Sequence, residues 1–306
     1  MAGASQREGL LPFSGASDDR GICMKLVKFK YEGRSGQGVV RGDRIIPVGA
    51  SVNGPVYSAP FDLPSLTAEE LDAAVRDGGA PIPLASVQLA APIAPTSKII
   101  CLGFNYKAHI EETTGPEGEF PPLFARWPDS LIGHQGQLVR PLASETFDFE
   151  GEFALVIGKG GRRIPQERAL DHVLGYSCFF DGSIRAFQKH SVTAGKNFPG
   201  SGSMGPWIVA GSERDAVPQA FSLETRVNGD TVQTTTGDLL IFDISQIISY
   251  VSTFTDLAPG DVIATGTPGG VGSRRNPPLW LKPGDTVEVE ISGIGVLQNT
   301  VKAEEV

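Results

Sequence analysis

Between Phe147 and Ile157 the chain sets Asp148, Glu150 and Glu152 at alternate positions among Phe147, Phe149, Phe153, Leu155 and Ile157. Side chains alternate faces along a strand, so the three carboxylates share one face and the apolar residues the other. Acids on a face that runs into an apolar core are unfavourable unless a cation neutralises them. A solvated strand face is the plain alternative for this segment by itself. Asp181 weighs against it, because it follows the apolar run 176–180 and sits where a buried strand emerges. Glu150, Glu152 and Asp181, with no His or Cys beside them, form an oxygen-only donor set. That set suits Mg²⁺ or Mn²⁺, with Ca²⁺ also accommodated, rather than Zn²⁺.

A second constellation lies in Gly103-Phe104-Asn105-Tyr106-Lys107-Ala108-His109-Ile110-Glu111-Glu112, directly after an apolar run ending at Leu102. In a helical turn, His109 and Glu112 stand three apart and face each other. A carboxylate beside an imidazole orients the ring and raises its basicity, which makes a general base. An exposed histidine with ordinary acidic neighbours is the alternative. His134, His172 and His190 have no such setting and read as structural.

Composition limits what these groups can serve. The chain has 306 residues, a length that suggests two units as a soft prior. Hydrophobic residues make up 40% and charged residues 20%, so neither a disordered chain nor a coiled coil fits. The 38 Gly and 23 Pro are in excess and follow no period, which favours a turn-rich, strand-rich fold. A net charge of −9 without a basic run argues against nucleic acid as a partner. Three separated cysteines, Cys23, Cys101 and Cys178, fit neither a disulfide framework nor a zinc site, which points to a reducing cytoplasm. No apolar run approaches the roughly 18 residues of a membrane span, so no membrane association is expected. The opening residues lack the layout of a signal peptide. Residues 1–23 are expected to be a disordered extension, 24–95 a small N-terminal domain and 96–306 the catalytic domain.

Elements must position the acids and the histidine. Residues 26–30 alternate, and 38–40 and 44–48 flank a Gly-Asp turn at 42–43, which predicts strands. Thr67 and Glu70 match a capping box for a short helix through Val75, and Pro81, Pro83, Pro92 and Pro95 punctuate the connection that follows. Longer apolar strands are expected at 99–102, 153–157, 176–180, 207–210 and 262–264. Segments 223–227 and 231–234 flank Asn228-Gly229-Asp230, a hairpin signal, and 286–291 alternates as a half-buried strand. Pro-Gly-Asp turns at 259–261 and 283–285 each introduce a strand. A helix is predicted over 165–174, with Pro165 at its start and Gly175 just past its end. Another is predicted over 243–254, with Asp243 as N-cap and Ile244, Ile247, Ile248, Val251 and Phe254 on one face. No βαβ alternation or internal repeat is present, which excludes a Rossmann or TIM architecture. The class is mostly β, or α+β.

Together these segments resemble the fumarylacetoacetate hydrolase family. Its GxNYxxHxxE opening matches Gly103, Asn105, Tyr106, His109 and Glu112, and its ExE…D metal motif matches Glu150, Glu152 and Asp181. Its SxR…Q segment matches Ser183, Arg185 and Gln188, its GK-x-F matches Gly195, Lys196 and Phe198, and its GPW is Gly205-Pro206-Trp207. The closing PGDxIxTGTPxGVG runs from Pro259 to Gly272. The matches stand in order from about residue 98 onward, with departures at Arg126, Phe180, Ala186 and Pro199. The resemblance implies a mixed β-sandwich roll with few short helices, plus the small N-terminal β-rich domain. It also implies a divalent ion and a homodimer acting on a small 2-oxo or dioxo acid. Leading among the implied reactions is hydrolysis of a C–C bond in a 2,4-dioxo acid of the acylpyruvate or fumarylpyruvate type, through a metal-stabilised enolate. Decarboxylation or isomerisation of a 2-oxo or dienoic diacid is the alternative, and a non-catalytic metal and ligand binder is the alternative of a different class. The implied roles are Glu150, Glu152 and Asp181 for metal and His109, Glu112 and Lys196 for catalysis. Tyr106, Arg126, Arg185, Gln188 and Thr267 are the implied substrate contacts.

Overall fold

Alternation of large and small apolar residues in the segment after Glu150 decides where the middle of the molecule lies. The structure, a computed structural model, describes residues 24–56, 59, 61–113, 118–210 and 221–305. The extension expected at 1–23, Cys23 included, lies outside the described residues. So do residues 114–117 of the loop that follows the His109 segment. Every residue of strand Gly151–Ile157 is buried. It pairs antiparallel with Val173–Phe180 on one side and with Val262–Ala264 on the other. Phe153, Leu155 and Ile157 face one apolar core, while Ala154 and Val156 face a second core across the sheet. This two-residue period is what a strand buried on both faces requires.

The large sheet runs in the order Ile82–Pro83, Arg44–Asn53, Arg34–Arg41, Met24–Tyr31, Gly202–Ala210, Val173–Phe180, Gly151–Ile157, Val262–Ala264, Ile99–Leu102, Leu123–Arg126. A second sheet, Asp230–Thr236, Ser222–Val227, Thr286–Ile291, Gly295–Ala303 and Gln137–Arg140, shares the first core with it. The fold is thus β-rich with short helices, as expected. Segments placed on either side of residue 95 share one sheet, because Met24, Lys25 and Leu26 pair with Ala210, Val209 and Ile208.

Local signals mostly produce the elements expected of them. Thr67 caps Ala68–Arg76 with Glu70 completing the box, and Asp243 caps Ile244–Phe254 with Gln246 completing another. Asn228 and Gly229 take φ of 54° and 86°, the left-handed pair of a tight hairpin turn. Two expectations are corrected. The predicted helix over 165–174 is a 3₁₀ helix, Gln166–His172, and Val173 already begins the next strand. Gly175 therefore lies within a strand rather than past a helix end. A Cβ there would collide with the Val209 carbonyl of the neighbouring strand, so close approach, and not capping, requires glycine. Phe254, assigned to the buried face of its helix, is 54% exposed, because the helix ends at Phe254 beyond the sheet it covers.

Gly175→Ala should lower unfolding free energy by about 1–3 kcal/mol, the usual range for forcing extra volume into a packed interior. Urea denaturation checks it, and an unchanged midpoint would show that the strands separate freely there.

Candidate active site

Strand alternation breaks just before the buried strand. Phe147–Asp148 pairs with Ser183–Ile184, while Gly151–Ile157 pairs with Val173–Phe180, so Phe149 and Glu150 bridge two sheets. Phe147 and Phe149 stay with Phe153 in the core, as alternation predicted. The acids part company. Asp148 turns to the loop after Val262–Ala264, accepting from Gly272 N at 2.7 Å and Ser273 N at 3.0 Å, and pairs with Arg185 Nε at 2.7 Å. Glu150 and Glu152 meet Asp181, which the end of Val173–Phe180 delivers beside them. One carboxylate oxygen from each lies within 4.8 Å of the others, and all three residues are buried.

Three cations pack against these acids, Arg126 and Lys196 buried and Arg185 partly exposed. Arg126 donates to Asp181 Oδ1 at 2.6 Å. Lys196 donates to Glu150 Oε2 at 2.5 Å and also to Asp181 Oδ2. Arg185 reaches Glu150 Oε1 at 2.5 Å and Gln188 Oε1 at 2.9 Å. Counting Asp148, four carboxylates face three cations, and the imbalance falls on Glu152. Burial, then the Asp181 charge, pushes its carboxyl well above the ordinary range. Burial would also raise Glu150, but Lys196 and Arg185 outweigh it and hold that group at about 2. Burial would lower Lys196, yet Asp181 and Glu150 raise it, so the ammonium is retained. An all-oxygen donor set with one negative charge in excess fits a divalent cation. Glu150, Glu152 and Asp181 would hold it.

His109 lines the same cavity as Glu150 and Glu152. Helix Lys107–Thr113 carries His109, whose Nδ1 lies 2.8 Å from Glu112 Oε1. Phe104 stacks on the imidazole at 5.7 Å. Asn105 fixes the approach to this helix, bonding Phe242 in both directions and donating to Thr265 O at 2.8 Å. Glu112 Oε2 accepts from Gly270 N at 2.8 Å. Burial opposes ionisation of Glu112, but the bond to His109 and that to Gly270 hold its carboxyl below the usual value. His109, Glu150, Glu152, Lys196, Arg185, Gln188 and Thr267 line one cavity of about 470 Å³.

Two expected substrate contacts lie elsewhere. Arg126, with a fully buried side chain, is engaged by Asp181, Gly182 O, Ser130 and Ser201, and does not line the cavity. The structure places it against Asp181 rather than in the cavity lining. Tyr106 is buried with its hydroxyl near Thr235, its pKa raised by burial and by Glu152, and it too is absent from the lining. Thr267 reaches the cavity, with its hydroxyl donating to Gly151 O at 3.0 Å.

Sequence reading missed Gln233. This buried side chain of the second sheet accepts from Gly151 N at 2.9 Å and donates to Thr267 Oγ1 at 2.8 Å and Pro268 O at 3.0 Å. It thereby fixes the peptide between the two glutamates. No spacing signals it, since Gly151 is 82 residues away.

Comparison with known proteins agrees with this geometry. A family profile described as fumarylacetoacetate (FAA) hydrolase C-terminal matches residues 98–302, and one described as Rv2993c-like, N-terminal, matches residues 24–92. Human oxaloacetate tautomerase FAHD2A, mitochondrial, is 37% identical over 224 residues, covering 72% of this chain and 71% of its own. The solved maleylpyruvate hydrolase from Sphingobium sp. SYK-6 superposes with a TM-score of 0.73 at 31% identity, covering 92% of this chain and 100% of that one. A 5-carboxymethyl-2-hydroxymuconate delta-isomerase from Mycobacterium smegmatis gives the same TM-score, identity and coverage. The profile match spans two-thirds of the sequence and contains the acids, the lysine and the histidine just described, and the chain belongs to the fumarylacetoacetate hydrolase family.

Proposed function

We propose that the protein is a divalent-metal-dependent enzyme that hydrolyses a C–C bond in a small 2,4-dioxo acid. The observation that carries this reading is that His109, held at Nδ1 by Glu112, lines the same cavity as Glu150 and Glu152. A purely binding protein has no use for an oriented base in that position. A cation bound by the three acids would supply Lewis-acid stabilisation to the enolate of a chelated 2-oxo carboxylate. Glu112 fixes the imidazole by bonding Nδ1, which leaves Nε2 to take a proton from water. The attacked carbonyl is the one distal to the 2-oxo acid. Lys196, kept protonated by its acid partners, offsets negative charge that develops at the inner end of the cavity. Arg185 and Gln188, bonded to each other, and Thr267 present polar groups to the substrate. Cytoplasmic placement and a homodimer complete the reading.

A second reaction is favoured by a separate observation, the 37% identity to a human oxaloacetate tautomerase. For that chemistry His109 would move a proton to and from the carbon next to the 2-oxo group. No water would be consumed. Both reactions need the same base and the same acids, and they differ only in whether a second carbonyl is attacked.

His109→Ala should lower kcat by about 10²–10⁴-fold, the usual worth of general acid–base catalysis, and Glu112→Gln by less. Equal rates in wild type and both variants would refute the base assignment. EDTA should abolish turnover and Mg²⁺ or Mn²⁺ restore it. Burial and the Asp181 charge favour the protonated form of Glu152, whereas bound metal favours its release of a proton, so Mn²⁺ affinity should rise with pH, by up to about tenfold per unit for one proton. Calorimetry in buffers of different ionisation enthalpy measures that release. Turnover of an acylpyruvate in ¹⁸O-labelled water should place label in the released acid alongside equimolar pyruvate. Rapid loss of enol absorbance from oxaloacetate, with no cleavage of acylpyruvate, would assign tautomerisation instead.

A further inference from the structure

We propose that Lys28 is the anion-binding end of a second, non-catalytic site, which takes a short aliphatic monocarboxylate between the N-terminal strands and the rest of the molecule. Strand alternation sets Lys28 on the face of Met24–Tyr31 that also carries Leu26, while Val27 and Phe29 face a separate apolar cluster. Leu26 belongs to the second core, so the lysine is carried inward with it and is only 1% exposed. Its ammonium donates once, to Ile93 O at 2.9 Å. An ammonium has three donors, so two remain. Gln37, paired across the strands with Lys28, directs its amide to Asp62 instead. Burial alone, with no charged neighbour contributing, lowers Lys28 to about 8, so the group stays largely protonated at neutral pH. A buried ammonium without a counter-ion is costly, and an anion beside it would offset that cost.

Lys28 and its partner Ile93 line a cavity of about 180 Å³ that shares no lining residue with the catalytic one. Val56 and Leu89 reach it from the N-terminal side, and Pro128, Leu131 and Ile132 from the catalytic side. Among the described residues Lys28 is the only charged group of the lining. Gln88 and Gln137 supply its other polar side chains, and both are exposed, which sets them at the opening. Apolar walls with a few placed polar groups are the usual make-up of a small-molecule site. One cation and hydrocarbon walls in so small a volume select for a single negative charge on a tail of a few carbons. An uncharged ligand would leave the ammonium unpaired, and a dianion would bring in a charge that nothing in the lining neutralises. A carboxylate would take the two remaining donors as charge-assisted hydrogen bonds. The ligand would also bridge the two parts of the chain, and so favour the folded state.

The test compares butyrate with butyramide, which has nearly the same shape and no charge, by calorimetry on the full chain with Mg²⁺ present. Butyrate should bind about tenfold or more tightly, the margin expected of hydrogen bonds to a charged group. It should also raise the melting temperature in proportion to its occupancy. Lys28→Met keeps the apolar stem, removes the charge and should erase the preference for butyrate. Ile132→Phe narrows the cavity, leaves the ammonium in place and should weaken binding of butyrate as well. Melting curves without ligand report whether each variant is folded. Equal affinities for the two ligands in wild type, or no binding of butyrate, would overturn the site whatever the variants do. A preference for butyrate that persists in folded Lys28→Met would overturn it too, because the anion would then be held elsewhere.

Discussion

Four carboxylates and three cations are crowded together at the inner side of the catalytic cavity, and the placement of most other elements near it follows from keeping them paired. Burying an ion costs several kcal/mol unless partners and hydrogen bonds replace its hydration. The partners come from several parts of the chain, with Lys196 shared between two acids. Asp181 takes Arg126 from the sheet strand Leu123–Arg126 and Lys196 from a short helix, Val192–Lys196. Glu150 takes Lys196 and Arg185. Glu152 receives a backbone donor, Gly266 N at 3.0 Å, in place of a cation. It is accordingly the acid left with the raised pKa, and the one that gains most from an added positive charge.

The glycine-rich loop after Val262–Ala264 connects this charge cluster to the base. Its amides are distributed among acids of separate origin: Gly266 to Glu152, Gly270 to Glu112, and Gly272 with Ser273 to Asp148. Gly270 has a φ of 103° and lies where a Cβ would strike the Val232 carbonyl, so both its backbone shape and its surroundings demand glycine. Gln233 then holds the loop at Thr267 and Pro268 while also holding Gly151. The histidine side and the acidic side of the cavity are thereby set at fixed separation by one stretch of backbone. A side chain's role here is decided as much by which amide it accepts from as by its own chemistry.

What the sequence disclosed and what it hid follow from range. Glu150 and Glu152 were legible because two acids alternating with phenylalanines have few structural excuses, and His109 and Glu112 because three-residue spacing closes within one helical turn. The β-rich class was legible from alternation and turn residues. The contact of Arg126 with Asp181 was not legible because its partner lies 55 residues away, and only the fold brings the two together. Asp148 was grouped with its neighbours by alternation, but the chain changes sheets at Phe149 and Glu150, which separates it from them. Gly175 was taken for a helix stop because glycine serves both helix ends and crowded strands, and local sequence does not distinguish the two uses.

The pairing of Met24–Tyr31 with Gly202–Ala210 has a consequence for the edge of the large sheet. Gly202–Ala210 is nine residues long and almost wholly buried. Without the N-terminal strands the amides and carbonyls of Ile208–Ala210 on that side would be an open edge, of the kind that recruits another molecule's strand. The segment 24–92 closes that edge, and it ends its own run of strands on the two-residue strand Ile82–Pro83, where proline can neither donate to nor extend a ladder. The N-terminal region, from which no described residue lines the catalytic cavity, thus caps the end of a central strand.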